Sequence, residues 1–210
     1  MLIFSNETLA FLAVPKTGTT AIEMALKPHA DIILTKRRKH TNAAKFRNKL
    51  LPFLQDAFNT SPEALAVMRD PIDQIRSWYR YRSRPENRDG PLSTRGCSFD
   101  DFVGHVISDD PPPFAGIGSQ FAFLTDGKGR LLVEHLFAWE RPLALQDFLS
   151  DRFGTPLRFK RKNVSPDTPT PLSPATEAAL RAARAPEFAL HARLSAAGGY
   201  LLTPQGTTPD

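Results

Sequence analysis

Residues 9–20 read L-A-F-L-A-V-P-K-T-G-T-T, and this stretch decides the fold. Its first six residues are all apolar, which is typical of a strand buried on both faces, as in a parallel sheet. Gly18 permits a tight turn, and a threonine can cap the helix that Ile22, Ala25 and Leu26 predict by their spacing. The stretch therefore predicts a strand, a turn and a helix in succession.

Similar patterns follow along the chain. The apolar run Ala64–Met68 precedes Asp70, which suits a helix N-cap, and Pro71, which suits the first helical position. Apolar stretches at 121–124, 131–134 and 136–139 then precede a helix predicted over 143–153. Alternating strands and helices predict an α/β fold: a single P-loop-like, three-layer domain with a central, mostly parallel sheet flanked by helices.

Length and composition set the outer limits. We expect one domain over residues 1–210, with its core at about 8–200 and a frayed tail at 201–210. A helix from Thr41 should end near Leu51, where Pro52 stops it. The chain has 27 Lys and Arg against 22 Asp and Glu, a net charge of +5 that favours anionic ligands and makes nucleic acid an unlikely partner.

Compartment and membrane association are inferred from what the sequence lacks. The chain has one cysteine, so no internal disulfide is possible, and a reducing, cytoplasmic location is expected. The first residues do not have the pattern of a signal peptide, and no apolar run is long enough to predict a membrane span.

Two cations follow predicted strands directly. Because ligands of α/β sheets bind at the carboxyl ends of the strands, we expect Lys16 and Arg69 at the same sheet edge. The backbone N–H groups of residues 17–20 open a helix and favour an anion, to which Lys16 adds charge. The lysine precedes Gly18, so the loop is not a Walker A loop, in which the lysine follows the second glycine. The alternative is a simple turn with an exposed lysine.

The two motifs together resemble a known family. P-K-T-G-T-T, followed by a strand, R-D-P and a helix with Ser77 eight residues after the arginine, resembles the sulfotransferases that use 3′-phosphoadenylyl sulfate (PAPS). The likeness covers about residues 8–170 and is nearest to small bacterial members of the carbohydrate-type branch. It implies that the 5′-phosphosulfate is bound by Lys16, Thr17, Gly18, Thr19 and Thr20, and the 3′-phosphate by Arg69 and Ser77. A weaker match at R-K-N-V-S, residues 161–165, implies that Lys162 and Asn163 also contact the cosubstrate.

Sulfuryl transfer needs a stabilised leaving group and a base. Lys16 would stabilise the leaving oxygen, and His40, in K-H-T-N-A, is the preferred general base. The alternative for residues 36–40 is a solvated basic run or an acceptor-binding surface. His105 and His135 are expected to pack, and Glu23 suits a base only if it faces the cleft. No metal is expected, because the transferred group carries one charge and no ligand spacing is present.

Other functions stay open at this point. The acceptor, a small molecule or a carbohydrate bearing a hydroxyl or an amine, cannot be identified from the sequence. The same holds for the oligomeric state and for any closure of residues 160–175 over the cosubstrate. A P-loop kinase-like phosphotransferase is one alternative. A non-catalytic nucleotide-binding or nucleic-acid-binding protein that uses residues 36–40 is another.

Overall fold

The centre of the fold is a mixed six-stranded sheet. A computed structural model of the chain describes residues 1–87, 90–159 and 169–204. The strands are β1 (Leu2–Phe4), β2 (Leu9–Leu12), β3 (Ile32–Ile33), β4 (Glu63–Met68), β5 (His135–Ala138) and β6 (Tyr200–Leu202).

Helices separate most of the strands. Their bounds are α1 (Thr19–Leu26), α2 (Ala43–Lys45), α3 (Leu51–Phe58), α4 (Pro71–Arg82), α5 (Phe99–Val106), α6 (Gln120–Leu124), α7 (Pro142–Phe153), α8 (Pro174–Ala183) and α9 (Ala185–Ala196). Single 3₁₀ turns lie at Lys27–His29, Lys36–Arg38 and Pro85–Asn87, and a π-turn at Phe46–Leu50 joins α2 to α3.

The strand order is β3-β1-β2-β4-β5-β6, and only its centre is parallel. β2 pairs in parallel with β4, and β4 with β5, whereas β1, β3 and β6 all pair antiparallel. The predicted α/β class with flanking helices is confirmed, but a mostly parallel sheet holds only for β2, β4 and β5. Their carboxyl ends meet at one edge, since Leu12 lies opposite Ala66 and Met68 opposite Ala138.

Both faces of the sheet are covered. Alternate residues of β2 point to opposite sides: Ala10 and Leu12 join a buried cluster with Leu194 on one face, while Leu9 and Phe11 join a cluster with residues of α1 and α7 on the other. A third buried cluster joins α4, α5 and α8 beside the sheet. The continuous apolarity of β2 therefore reflects burial on both faces, as predicted.

Three predictions about local structure were wrong. Pro52 does not end a helix, because it lies in the first turn of α3, where a missing N–H costs nothing, and the helix continues to Phe58. The apolar stretch 121–124, for which no element was predicted, lies within α6, which Ser119 caps. Leu201 and Leu202 belong to β6 rather than to a frayed tail, and the buried core begins at Met1 rather than near residue 8.

Candidate functional site

The loop between β2 and α1 has an unusual backbone. Lys16 has φ 68° and Gly18 has φ 74°, both in the left-handed region. Gly18 itself is the N-cap of α1 and the cap has no side-chain hydrogen bond, so the predicted threonine cap was wrong: both threonines already lie in the first helical turn. Thr17 is fully buried and its hydroxyl donates to the Val14 carbonyl at 2.9 Å. That hydroxyl stabilises the loop internally, and its hydrogen is already used in this bond.

The backbone of the loop presents free donors. Across the ranges that the structure describes, no acceptor takes the N–H groups of residues 16–20. Lys16 and Gly18 both have left-handed backbones, and the start of α1 adds the positive end of its dipole. Backbone N–H groups at the start of a helix are chemically able to bind an anion.

Cations and aromatic rings alternate beside this loop. The Lys16 Nζ lies 4.2 Å from the centroid of the Tyr81 ring and 5.5 Å from that of Trp78. The Arg82 guanidinium lies 5.0 Å from the Trp78 ring, and the Arg84 guanidinium 5.3 Å from the Tyr81 ring. We call this series Arg82, Trp78, Lys16, Tyr81, Arg84 the cation–ring ladder. In this series each of the two rings contacts Lys16 on one side and an arginine on the other.

The environment of Lys16 lowers the pKa of its ammonium group. Burial is the main cause that lowers the pKa of Lys16 to about 8, and the positive charges of Arg84, Arg69 and Arg82 lower it further. Any anion bound among these groups would reverse the repulsion and raise that pKa. A negatively charged ligand would therefore favour the protonated form of Lys16.

Arg69 and the loop are brought together by Trp139. The Arg69 guanidinium lies 3.9 Å from the centroid of the Trp139 ring. A Cβ atom added at Gly18 would lie only 3.0 Å from Trp139 Nε1, so the indole also closes on the loop. Sequence reasoning did not single out Trp139. The available signal was its position directly after a third parallel strand, at the same sheet edge.

The backbone of Arg69 is held by a buried amide. Gln120 accepts the Arg69 N–H and donates to the Arg69 carbonyl, each at 2.9 Å. Gln120 is in turn oriented by Glu187, which accepts from its backbone N–H at 3.0 Å and pairs with Arg184. Burial lowers the pKa of Arg69 despite nearby carboxylates, but an arginine stays protonated. This support was also not predicted.

Several donors around the loop lack acceptors. Gln74 donates to the Pro15 carbonyl at 3.1 Å and so ties α4 to the loop. Within the described part of the chain, the buried Nε atoms of Arg69 and Arg82 and the buried Nε1 of Trp78 have no hydrogen-bond partner, nor does the acceptor oxygen of Gln74. Unpartnered buried polar atoms are rare and costly. Three of these four atoms are donors, although the Nη1 of Arg82 itself donates to the carbonyls of Pro113 and Phe114.

His40 lies at the root of the loop. Its Nδ1 is 2.6 Å from the Ala13 carbonyl oxygen. Because a carbonyl can only accept, Nδ1 carries the hydrogen and Nε2 keeps its lone pair. His40 is exposed as a residue, but desolvation by the surrounding protein, together with Lys39 and the N-terminal ammonium, lowers its pKa against the raising effect of the Ala13 bond. His40 is therefore neutral at pH 7 and suited to accept a proton.

The other basic candidates are engaged elsewhere. Glu23 pairs with Lys39 at 2.5 Å. His135 is buried between the Tyr200 hydroxyl, at 2.9 Å, and Glu63, at 3.2 Å, as expected of a core histidine. The expectation that His105 packs was wrong: it is exposed on α5, and its ring lies 5.3 Å from that of Phe114 at the surface.

For the remaining predicted site residues, the structure gives a position and an exposure but no contact with the other site residues. Thr19 is buried and Thr20 exposed, both in the first turn of α1. Ser77 is partly exposed on α4, and its hydroxyl has no hydrogen-bond partner in residues 1–87, 90–159 or 169–204. Lys162 and Asn163 lie outside the described residues. The structure therefore brings Lys16, Arg69 and His40 to one sheet edge.

A cavity of about 910 Å³ lies at the opposite edge, at the amino ends of the central strands. Both of its lining carboxylates are paired: Glu63 with the lining residue Arg152 at 2.6 Å, and Glu134 with Arg47, which does not line the cavity. This cavity therefore offers no uncompensated charge, in contrast to the loop around Lys16.

The described part of the chain contains neither a cluster of metal ligands nor a membrane-spanning helix. Among the described residues, no group of three or more His, Cys, Asp or Glu side chains is placed to hold a metal ion. The helices of that same part of the chain are all too short or too polar to cross a membrane. Comparison of the chain with protein-family models, curated proteins and solved structures returned no match.

Proposed function

We propose that the protein is a cytoplasmic sulfotransferase that moves a sulfuryl group from PAPS to a hydroxyl or amine of a small-molecule or carbohydrate acceptor. The observation that carries the proposal is the pairing of two anion-binding groups on neighbouring strand ends. Lys16 stands by the N–H groups of its loop, which have no acceptor among the described residues, and Arg69, at the next strand, has a buried donor that also lacks a partner there. Such a pair suits a ligand with two separate anionic ends, as PAPS has.

Each end of the cosubstrate has its own donors in this proposal. The backbone N–H groups of residues 16–20 and the Lys16 ammonium bind the 5′-phosphosulfate. Thr17 contributes through its backbone, because its hydroxyl is bonded to Val14. Arg69 and the free hydroxyl of Ser77 bind the 3′-phosphate.

The reaction needs one bond to form as another breaks. The acceptor oxygen or nitrogen attacks sulfur in line, and the bond between sulfur and the oxygen of the 5′-phosphate breaks. His40 Nε2 takes the proton of the acceptor, for which its tautomer is suited. Lys16 stabilises the negative charge that develops on the leaving oxygen of adenosine 3′,5′-bisphosphate. Sulfur is neither oxidised nor reduced.

The alternatives make different demands on this site. A kinase-like phosphotransferase would bind ATP, but the loop lacks the Walker A order. A nucleic-acid-binding protein would bind oligonucleotides with a steep salt dependence. Isothermal titration with adenosine 3′,5′-bisphosphate, ATP, ADP and an oligonucleotide separates the three.

We expect the bisphosphate to bind and the Lys16→Ala variant to lose sulfuryl transfer while keeping the circular-dichroism spectrum of the native fold. Lys49→Ala, at an exposed lysine between α2 and α3, is the matched control and should keep full activity. Binding of ATP without the bisphosphate, or full activity of Lys16→Ala, would refute the proposal.

A further inference from the structure

A short basic turn precedes the histidine of the site. Lys36, Arg37 and Arg38 form a 3₁₀ turn, in which Lys36 has φ 52° and all three residues are exposed. We call these three residues the basic turn. A backbone in the left-handed region at a lysine is strained, so its neighbours must hold it in place.

The basic turn is fixed to the site by the residues that follow it. The Thr41 hydroxyl donates to the Arg38 carbonyl at 2.8 Å. The next residue, Lys39, is anchored by its 2.5 Å ion pair with Glu23 of α1, and His40 is bonded to Ala13. These contacts hold three cations directly beside the residue that takes the acceptor proton in the proposed mechanism.

The charges of the basic turn are not compensated. In the described ranges, none of its three side chains forms an ion pair, a hydrogen bond or a ring contact. The cations on the other side of the loop differ, because Lys16, Arg69, Arg82 and Arg84 all lie against aromatic rings. Among the described residues, the cations of the basic turn therefore contact neither a carboxylate nor an aromatic ring.

The basic turn also lies on the side of the loop away from Arg69. β2 has β1 as its neighbour on one side and β4 on the other. The basic turn follows β3, which pairs with β1, whereas Arg69 follows β4. An anion that occupies Lys16 and Arg69 would thus extend away from the basic turn and leave its charge free.

We infer that the acceptor is itself anionic, with a carboxylate, sulfate or phosphate group near the hydroxyl or amine that reacts. This inference rests on the proposed function and names the substrate class of the same site. Exposed cations of this kind attract an anionic ligand to the site and add to its affinity, and salt screens the effect.

Two matched pairs of probes test the charge of the acceptor. 4-Hydroxybenzoate is compared with 4-hydroxybenzyl alcohol, and a hyaluronan tetrasaccharide with chitotetraose, by titration into the chain with and without saturating adenosine 3′,5′-bisphosphate. We expect the anionic member of at least one pair to bind about tenfold more tightly. The triple variant Lys36→Ser, Arg37→Ser, Arg38→Ser should reduce that preference to about twofold or less and leave bisphosphate affinity within about twofold.

The control removes the same net charge elsewhere. Lys49→Ser, Lys128→Ser and Arg193→Ser alter exposed residues on other elements and should keep the preference. Equal binding of both members of each pair, or no binding by either, overturns the inference. So does a preference that survives in the triple variant of the basic turn, or one that is lost in the control. Failure of the proposed function is seen separately, as absence of bisphosphate binding. In that case the affinities of the two members of each probe pair are compared on the ligand-free chain.

Discussion

The pKa of Lys16 makes ligand affinity depend on pH in a calculable way. Adenosine 3′,5′-bisphosphate favours the charged form of Lys16, so its binding raises a pKa that is about 8 in the free protein. The group therefore contributes fully to affinity below pH 8, and its contribution falls as the pH rises above 8. Phosphate groups, whose second pKa is near 6, are ionised across this range and do not add to the change.

The magnitude follows from the titration of one group. The protonated fraction of Lys16 falls from about 0.9 at pH 7 to about 0.1 at pH 9. Affinity for the bisphosphate should fall by about tenfold over that interval, or about 1.4 kcal/mol of binding free energy. The chain has two tryptophans, Trp78 beside Lys16 and Trp139 beside Gly18, so quenching of intrinsic fluorescence can report binding at each pH.

The Lys16→Arg variant is the matched control. An arginine keeps its charge throughout this range, so its affinity should change by less than about twofold between pH 7 and pH 9. The reasoning is refuted if the wild-type affinity is constant over the interval. It is also refuted if Lys16→Arg shows the same tenfold loss, since the titrating group would then be another one.

Three further predictions concern the loop, the base and the support of the second cation. Gly18→Ala should lower the free energy of unfolding in urea by about 1–2 kcal/mol, because Gly18 has φ 74° and faces an indole nitrogen. Gly104→Ala on α5, where an added Cβ would meet no atom within 4 Å, should be neutral or slightly stabilising. An equal loss of unfolding free energy in that variant would contradict the expected strain at Gly18. His40→Ala should slow transfer by about 10²–10⁴-fold at unchanged bisphosphate affinity, measured by single-turnover kinetics and titration; a parallel loss of affinity would assign it a binding role. Gln120→Leu removes both hydrogen bonds to the Arg69 backbone and should cost about 1–3 kcal/mol of stability and weaken bisphosphate binding. Unchanged binding in that variant would show that Arg69 does not need the amide.

Local sequence predicted the parts of the site that depend on neighbours in the chain. The strand before Lys16 and the helix after Arg69 follow from apolar runs, an aspartate cap and a proline at the first helical position, and the structure confirms them. Because both cations follow parallel strands, their meeting at one edge could also be predicted.

The rest depends on contacts between distant segments. Trp139 reaches the loop only because β5 pairs with β4, and Gln120 reaches Arg69 across 51 residues of sequence. The three-residue strands β1 and β6 are too short to show a pattern, and their stability comes from pairing and burial in the sheet. Such residues become recognisable only when the tertiary neighbours are known.

The cation–ring ladder has a consequence for competition at the site. A protein usually balances a buried cation with a carboxylate, but a carboxylate beside Lys16 would itself be an anion in the place of the ligand, and would have to be displaced. The faces of Trp78 and Tyr81 attract the ammonium and guanidinium groups through their quadrupoles while carrying no net charge. The ligand-free protein can therefore keep several cations together without a carboxylate of its own that would compete with the ligand. An incoming anion meets charge that is held in position but not yet neutralised.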